Sequence, residues 1–221
     1  MWDKLSKSCY YKDCSLPLND PLRKIKLFSG SILEAGCGGG QAMKYCLKFT
    51  NHVVGLDFSK EMLLACKQNV SSEYASFVMA DTRFIPFKNK SFDTSLSLGV
   101  IEHLGFQNLA FDELCRVSQK MIVLSLPFPF SFYHLFTRIG QLLKILELDK
   151  EDGFTVWQVE QILEPKGFRM KKTIKLLELP DYFEKSIIKK LFIRFADVLD
   201  TFLSKVNMGY RFVFYVAIKK K

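Results

Sequence analysis

The chain has 221 residues, 48% of them hydrophobic and 25% charged, with 32 Lys and Arg against 23 Asp and Glu for a formal charge of +9. That apolar fraction excludes a disordered chain, and 12 Gly with 7 Pro exclude collagen-like or linker character. The basic balance is compatible with nucleic acid, an anionic membrane surface or an acidic substrate, and does not choose among them.

The length predicts a single domain, 1–221, divided into a helical lead-in over 1–29, a first half over 30–126 and a second half over 127–221. The excess charge is uneven: 15 basic residues against 12 acidic ones up to residue 120, and 17 against 11 beyond it. The amino terminus has no apolar core of signal-peptide length. The longest stretch free of Lys, Arg, Asp and Glu, residues 121–137, falls short of the roughly 20 apolar residues a spanning helix needs. Six cysteines without a Cys-x-x-Cys pair read as reduced structural thiols, so the expected location is cytoplasmic.

From residue 31 short apolar runs alternate with helical stretches, the pattern of a parallel α/β sheet. Residues 31–35 predict a first strand that ends in Gly36-Cys37-Gly38-Gly39-Gly40, and 41–49 a helix. A second strand follows at 53–57, then a helix capped by Ser59 with Glu61 in its first turn. Strands are predicted at 75–79, 93–98 and 121–126, with a helix at 107–117 before the last of these. After an aromatic, turn-rich segment at 127–133 comes an amphipathic stretch at 135–148, then a helix capped by Thr155 and stopped near Gly167. Residues 168–179 predict strand six, 181–206 a long amphipathic helix and 210–218 a final strand.

Glycines after the first strand let the backbone turn sharply and let a ligand approach the main chain. A dinucleotide fingerprint from Gly36 would need a glycine where Gln41 stands, which disfavours a nicotinamide cofactor. Asp57, 17 residues after Gly40 at the end of the second strand, can accept from both hydroxyls of a ribose; a strand-end Asp serves equally as a helix cap. Asp81 follows the third strand, where an adenine edge could be read. Three acids, Glu34, Asp57 and Asp81, thus attend three successive strands.

On these residues the sequence resembles the class I S-adenosylmethionine-dependent methyltransferases, in the branch that includes the ubiquinone and menaquinone biosynthesis enzymes. The resemblance is carried by Ile32-Leu33-Glu34-Ala35-Gly36-Cys37-Gly38-Gly39-Gly40 and Val54-Gly55-Leu56-Asp57-Phe58-Ser59-Lys60-Glu61-Met62. Ala80-Asp81-Thr82, Ile85-Pro86-Phe87, Ser91-Phe92-Asp93, Leu98-Gly99-Val100-Ile101-Glu102-His103 and Glu113-Leu114-Cys115-Arg116-Val117 add to it. The usual Pro-Gly-Gly turn is replaced by Ser118-Gln119-Lys120, and residues 155–218 fit only in outline.

The resemblance implies a Rossmann-like sheet of seven strands with helices on both faces and an inserted helix before the last strand. It implies that Gly36, Cys37 and Gly38 bring the loop against the methionine part of S-adenosylmethionine, with Glu34 orienting the ammonium. Asp57 would hold the ribose and Phe58 pack on the adenine. Asp81 and the Thr82 backbone would read the adenine edge, and the main chain of Leu98 would contact the cofactor. His103, just beyond the fourth strand, is the candidate base where an acceptor must lose a proton; a helix-start histidine with a structural hydrogen bond is the plainer alternative. Relatives that bind a divalent ion use Glu-x-x-Glu-His, but Gly99 takes the first acidic position here, and no metal is expected.

In open α/β sheets ligands sit beyond the carboxyl ends of the strands, so Phe128, Phe130, Phe132 and Tyr133 are placed to wall an acceptor pocket or to pack in the core. The expected reaction is methyl transfer to a small, hydrophobic or aromatic metabolite or lipid-like acceptor. The alternatives are an RNA methyltransferase, disfavoured by basic residues interleaved with acids and by the lack of an RNA-binding module, and a non-catalytic cofactor-binding scaffold. The basic helix 181–206 either packs on its own domain or makes peripheral membrane contact.

Overall fold

The computed structural model describes residues 19–25, 30–131, 152–176 and 212–220, with isolated positions at 135, 138–139 and 198–199. Most of the lead-in, most of the 135–148 stretch and nearly all of the 181–206 helix lie outside the described residues. In chain order the elements are α1 (Asn19–Arg23), β1 (Ile32–Ala35), α2 (Gln41–Cys46), β2 (Val53–Asp57), α3 (Lys60–Asn69), β3 (Ala75–Met79) and β4 (Phe92–Leu98). A one-turn 3-10 helix (Ile101–His103), α4 (Gln107–Val117), β5 (Ser118–Pro127), α5 (Val156–Leu163), β6 (Phe168–Leu176) and β7 (Phe212–Lys219) complete them.

The seven strands form one sheet in the order β3-β2-β1-β4-β5-β7-β6. β7 runs antiparallel to both neighbours, pairing Leu124 with Tyr215 and Thr173 with Tyr215, while β1 to β5 are parallel. β1, β2, β7 and the apolar part of β5 are buried on both faces, which is why their sequences are runs of apolar residues rather than alternations, while the outer strands β3 and β6 are only partly covered. On one face Leu33, Ala35, Val54 and Leu56 pack with Phe111 and Leu114 of α4 and Val159 and Leu163 of α5. On the other, Ile32, Val53, Leu96 and Val123 pack with Met43 and Cys46 of α2 and Cys66 of α3. The expected sheet with helices on both faces is the one observed.

The chain adds β2 and β3 on one side of β1, then crosses to β4 on the other. That reversal opens a crevice beyond the carboxyl ends of β1 and β4, the place where parallel sheets receive ligands. The glycine turn leaves β1 there, and the 3-10 turn leaves β4 there.

The loop after β3 is fixed from α4. Glu113 accepts from the Ile85 N–H at 2.7 Å, and Arg116 donates to the Phe87 and Ile85 carbonyls at 2.7 and 2.9 Å. The two side chains also pair with each other at 2.6 Å, which holds the Glu113 carboxyl below its ordinary range. Arg116→Ala would strip donors from two carbonyls and leave a half-buried carboxylate without its partner. It is expected to destabilise the fold by about 2 kcal/mol. A lower urea midpoint at unchanged m-value would show it, and an unmoved midpoint would remove the loop brace.

Candidate functional site

The turn between β1 and α2 is built around backbone donors. Gly36 and Cys37 both donate to the Leu56 carbonyl, at 2.7 and 2.9 Å, which docks the turn onto the end of β2. Gly36 has φ of +81°, and a Cβ there would lie 2.3 Å from the Val100 side chain. Only glycine serves both conditions. Gly38, φ +47°, faces open space where its Cβ would be, and it donates its N–H to Asp57 Oδ2 at 2.9 Å.

Asp57 is therefore more than a strand end. Its second oxygen, Oδ1, accepts from the Ser59 N–H at 2.9 Å. Burial raises its carboxyl above the ordinary range, opposed by the hydrogen bonds from the Ser59, Gly38 and Phe58 backbone. The cap of α3 is Ser59, whose hydroxyl accepts from Met62 N–H at 3.3 Å, so Asp57 is spared that task. Phe58 stands beside it with its ring 65% exposed, an unpacked aromatic face at the mouth of the crevice.

Glu34 lies on β1 beneath the turn and is buried. Burial pushes its carboxyl up to about 8, eased by a hydrogen bond from the Met43 backbone and reinforced by the negative Asp57. Its Oε2 is buried with no hydrogen-bond partner among the described residues. A buried acceptor left open is costly unless a ligand donor completes it. The arrangement suits a cation.

Cys37 is drawn the other way. Its thiol lies 3.0 Å from where a Cβ on Gly55 would sit, among core residues, and it is buried. The hydrogen bond with Cys66, then burial, raises the thiol well above its usual value. With its N–H committed to Leu56, Cys37 is a packing residue within the loop, and its side chain does not line the crevice.

At the end of β3, Asp81 is held by Arg83 in an ion pair at 2.5 Å, which keeps its carboxyl below the usual range. Thr82 is buried immediately after it. Leu98, half-buried, closes β4 opposite Ser125. His103 is the last residue of the 3-10 turn beyond β4, half-buried, with its N–H donating to the Val100 carbonyl at 3.1 Å. Glu34, Asp57, Asp81, Leu98 and His103 thus come from β1, β2, the loop after β3, β4 and the turn after β4, all at one edge of the sheet.

The sequence reading missed Arg83 and the exposed aromatics Phe84 and Phe106. With Phe130, these rings follow β3, β4 and β5 on the same edge. Arg83 carried a faint signal, an opposite charge two residues from Asp81 in a turn. Phe106 carried none.

Residues 33–121 match the family described as a methyltransferase domain. A malonyl-[acyl-carrier protein] O-methyltransferase of Buchnera aphidicola subsp. Baizongia pistaciae is 40% identical over 107 residues, 47% of this chain and 42% of the relative. An ajmaline N-methyltransferase of Rauvolfia serpentina is 30% identical over 116 residues, 48% of this chain and 38% of the relative. The matched region is thus less than half the length of these curated relatives. Among solved structures, magnesium protoporphyrin IX methyltransferase from Synechocystis PCC 6803, with bound SAH, superposes with a TM-score of 0.64 at 16% identity, covering 92% of this chain and 80% of that one. That likeness carries the fold.

Proposed function

We propose, for a chain whose residues 33–121 match a methyltransferase-domain family, that it transfers the methyl group of S-adenosylmethionine to a small, hydrophobic or aromatic metabolite or a lipid-like acceptor. The observation that carries this reading is the pairing of a buried, half-satisfied Glu34 carboxyl with an Asp57 carboxylate pinned to Gly38 and Ser59. The residues fit the cofactor part by part. Glu34 offers an open acceptor to the ammonium, and the turn at Gly36 and Gly38 leaves room for the methionine chain. Asp57 retains an acceptor position for the ribose hydroxyls, since a carboxylate has about four and the Gly38, Ser59 and Phe58 backbone donors fill three. Phe58 offers a face to the adenine, with Asp81, Thr82 and the main chain of Leu98 along its edge.

Bound there, S-adenosylmethionine supplies an electrophilic methyl group on a sulfonium, which leaves as a neutral thioether when a nucleophile attacks in line. Little covalent work falls to the protein; it aligns the acceptor and keeps water away. A carboxylate acceptor needs no base, whereas a hydroxyl or protonated amine does, and His103 would take that proton.

The acceptor class rests on Phe84, Phe106 and Phe130, exposed beyond the carboxyl ends of successive strands, where apolar rings favour apolar partners. It is consistent with relatives named for malonyl-[acyl-carrier protein], ajmaline and protoporphyrin. The half from 127 onward is read as acceptor-facing, with the basic amphipathic sequence at 181–206 its elaboration. The test is calorimetry with S-adenosylmethionine, followed by transfer of labelled methyl to a panel of acyl thioesters, fatty acids, aromatic amines and bulk tRNA. No heat of cofactor binding would end the enzyme reading, and label found only in tRNA would replace the acceptor.

A further inference from the structure

One side chain ties the acid at the end of β3 to the loop that opens α4. Arg83 grips Asp81 with its guanidinium, Nε at 3.0 Å from Oδ1 and 3.1 Å from Oδ2 and Nη2 at 2.5 Å from Oδ2. Its own backbone N–H donates to Oδ1 at 2.8 Å. The remaining arm, Nη1, donates to the Gly105 carbonyl at 3.3 Å, 22 residues further along the chain. Both oxygens of Asp81 and the backbone of a second loop therefore share one planar, rigid group.

The next residue makes that contact consequential. Phe106 sits at the N-terminal cap of α4 with φ of +57°, a left-handed conformation that a bulky residue leaves unless its surroundings hold it. Its ring is 82% exposed, so side-chain packing is not the restraint. Backbone anchors on either side are: the Leu109 N–H donates to the Phe106 carbonyl at 3.0 Å, and Arg83 holds the carbonyl of Gly105. Because α4 runs back from the carboxyl edge of the sheet, Phe106 stands at the mouth of the crevice. Strain held at such a place is a reason to look for a role there.

We propose that Arg83 is a positioning residue that couples Asp81 to the Gly105–Phe106 loop, so that a cofactor engaging Asp81 orders the aromatic at the acceptor entrance. The proposal rests on the cofactor reading given above. A ligand amino group that takes a lone pair of Asp81 shares that carboxylate with the guanidinium. Any resulting shift of the guanidinium reaches Gly105 through Nη1, with no intervening side chain. A lysine could hold one end of this link but lacks the fork for both.

Hydrogen exchange on the full chain, with and without saturating S-adenosylhomocysteine, tests it in the unmodified protein, in Arg83→Gln and in Arg83→Lys. In the unmodified protein, the ligand is expected to slow exchange at 36–40, at 80–84 and, by about fivefold or more, at 104–108. In both variants the slowing at 36–40 should persist once the ligand is saturating, while that at 104–108 is lost. Retention of protection at 104–108 in Arg83→Gln overturns the coupling, and its restoration by Arg83→Lys overturns the role of the fork. Protection of 36–40 and 80–84 but not 104–108 in the unmodified protein also overturns the coupling, yet leaves the cofactor reading standing. Absence of protection anywhere in the unmodified protein removes both.

Discussion

Asp57→Ala is expected to weaken S-adenosylmethionine binding by about 1.5–3 kcal/mol, a rise of roughly 10- to 150-fold in the dissociation constant. Two losses combine. The ribose hydroxyls lose a charged acceptor, and the glycine turn loses the bond that fixes the Gly38 N–H at 2.9 Å. Asp57→Asn separates charge from shape. An amide oxygen can accept from Ser59 or from Gly38, but the amide nitrogen then faces the other N–H donor to Asp57, so Asn is expected to lose most of the affinity as well. Ser59 still caps α3 in both variants, so the melting temperature should move little compared with the affinity. Calorimetry at one pH, with melting curves as the control for folding, makes the comparison. An unchanged dissociation constant in either variant would take Asp57 out of the cofactor site.

Much of the fold around this site was legible in the sequence. β2 and β3 begin and end where their apolar runs do, and Ser59 and Thr155 cap their helices as their chemistry suggests, the latter with Gln158 completing a capping box. The misses have physical reasons. β5 starts at Ser118, three residues before its apolar run, because the Ser118 hydroxyl bonds Ser95 at 2.8 Å and the Leu114 carbonyl, which satisfies a polar residue inside the sheet. The helix predicted over 41–49 ends at Cys46, with the following residues only in a turn. Phe106 has a left-handed backbone that sequence assigns to Gly or Asn, and the Arg83 link spans two loops that share no pattern. Local chemistry and periodicity can be read along a chain; a strained residue held by a distant side chain cannot.

The charge of Glu34 should govern the pH dependence of cofactor binding. With its carboxyl pushed up to about 8 by burial, Glu34 holds a proton at pH 6 and must release it to pair with an ammonium. Affinity attributable to Glu34 therefore rises with pH, by up to about tenfold per unit below 8, and levels off above. The cofactor's own α-amino group titrates in the same range, so the informative quantity is the ratio of affinities between the unmodified protein and Glu34→Gln, in which that titration cancels. The ratio is expected near unity at pH 6 and about tenfold or more at pH 8.5. Folding stability moves in the opposite sense. Between the ordinary glutamate value of 4.5 and about 8 the native state keeps a proton that the unfolded chain has lost. Stability from this group is thus present at low pH and declines through that window, by at most about 1.4 kcal/mol per unit. Glu34→Gln should lack the decline and exceed the unmodified protein in urea midpoint at pH 8, where burying the ionised carboxyl is unfavourable. The same residue then binds better as the fold grows weaker. That opposition is what a carboxylate buried for a cationic ligand predicts, and a ratio that stays flat from pH 6 to 8.5 would refute it.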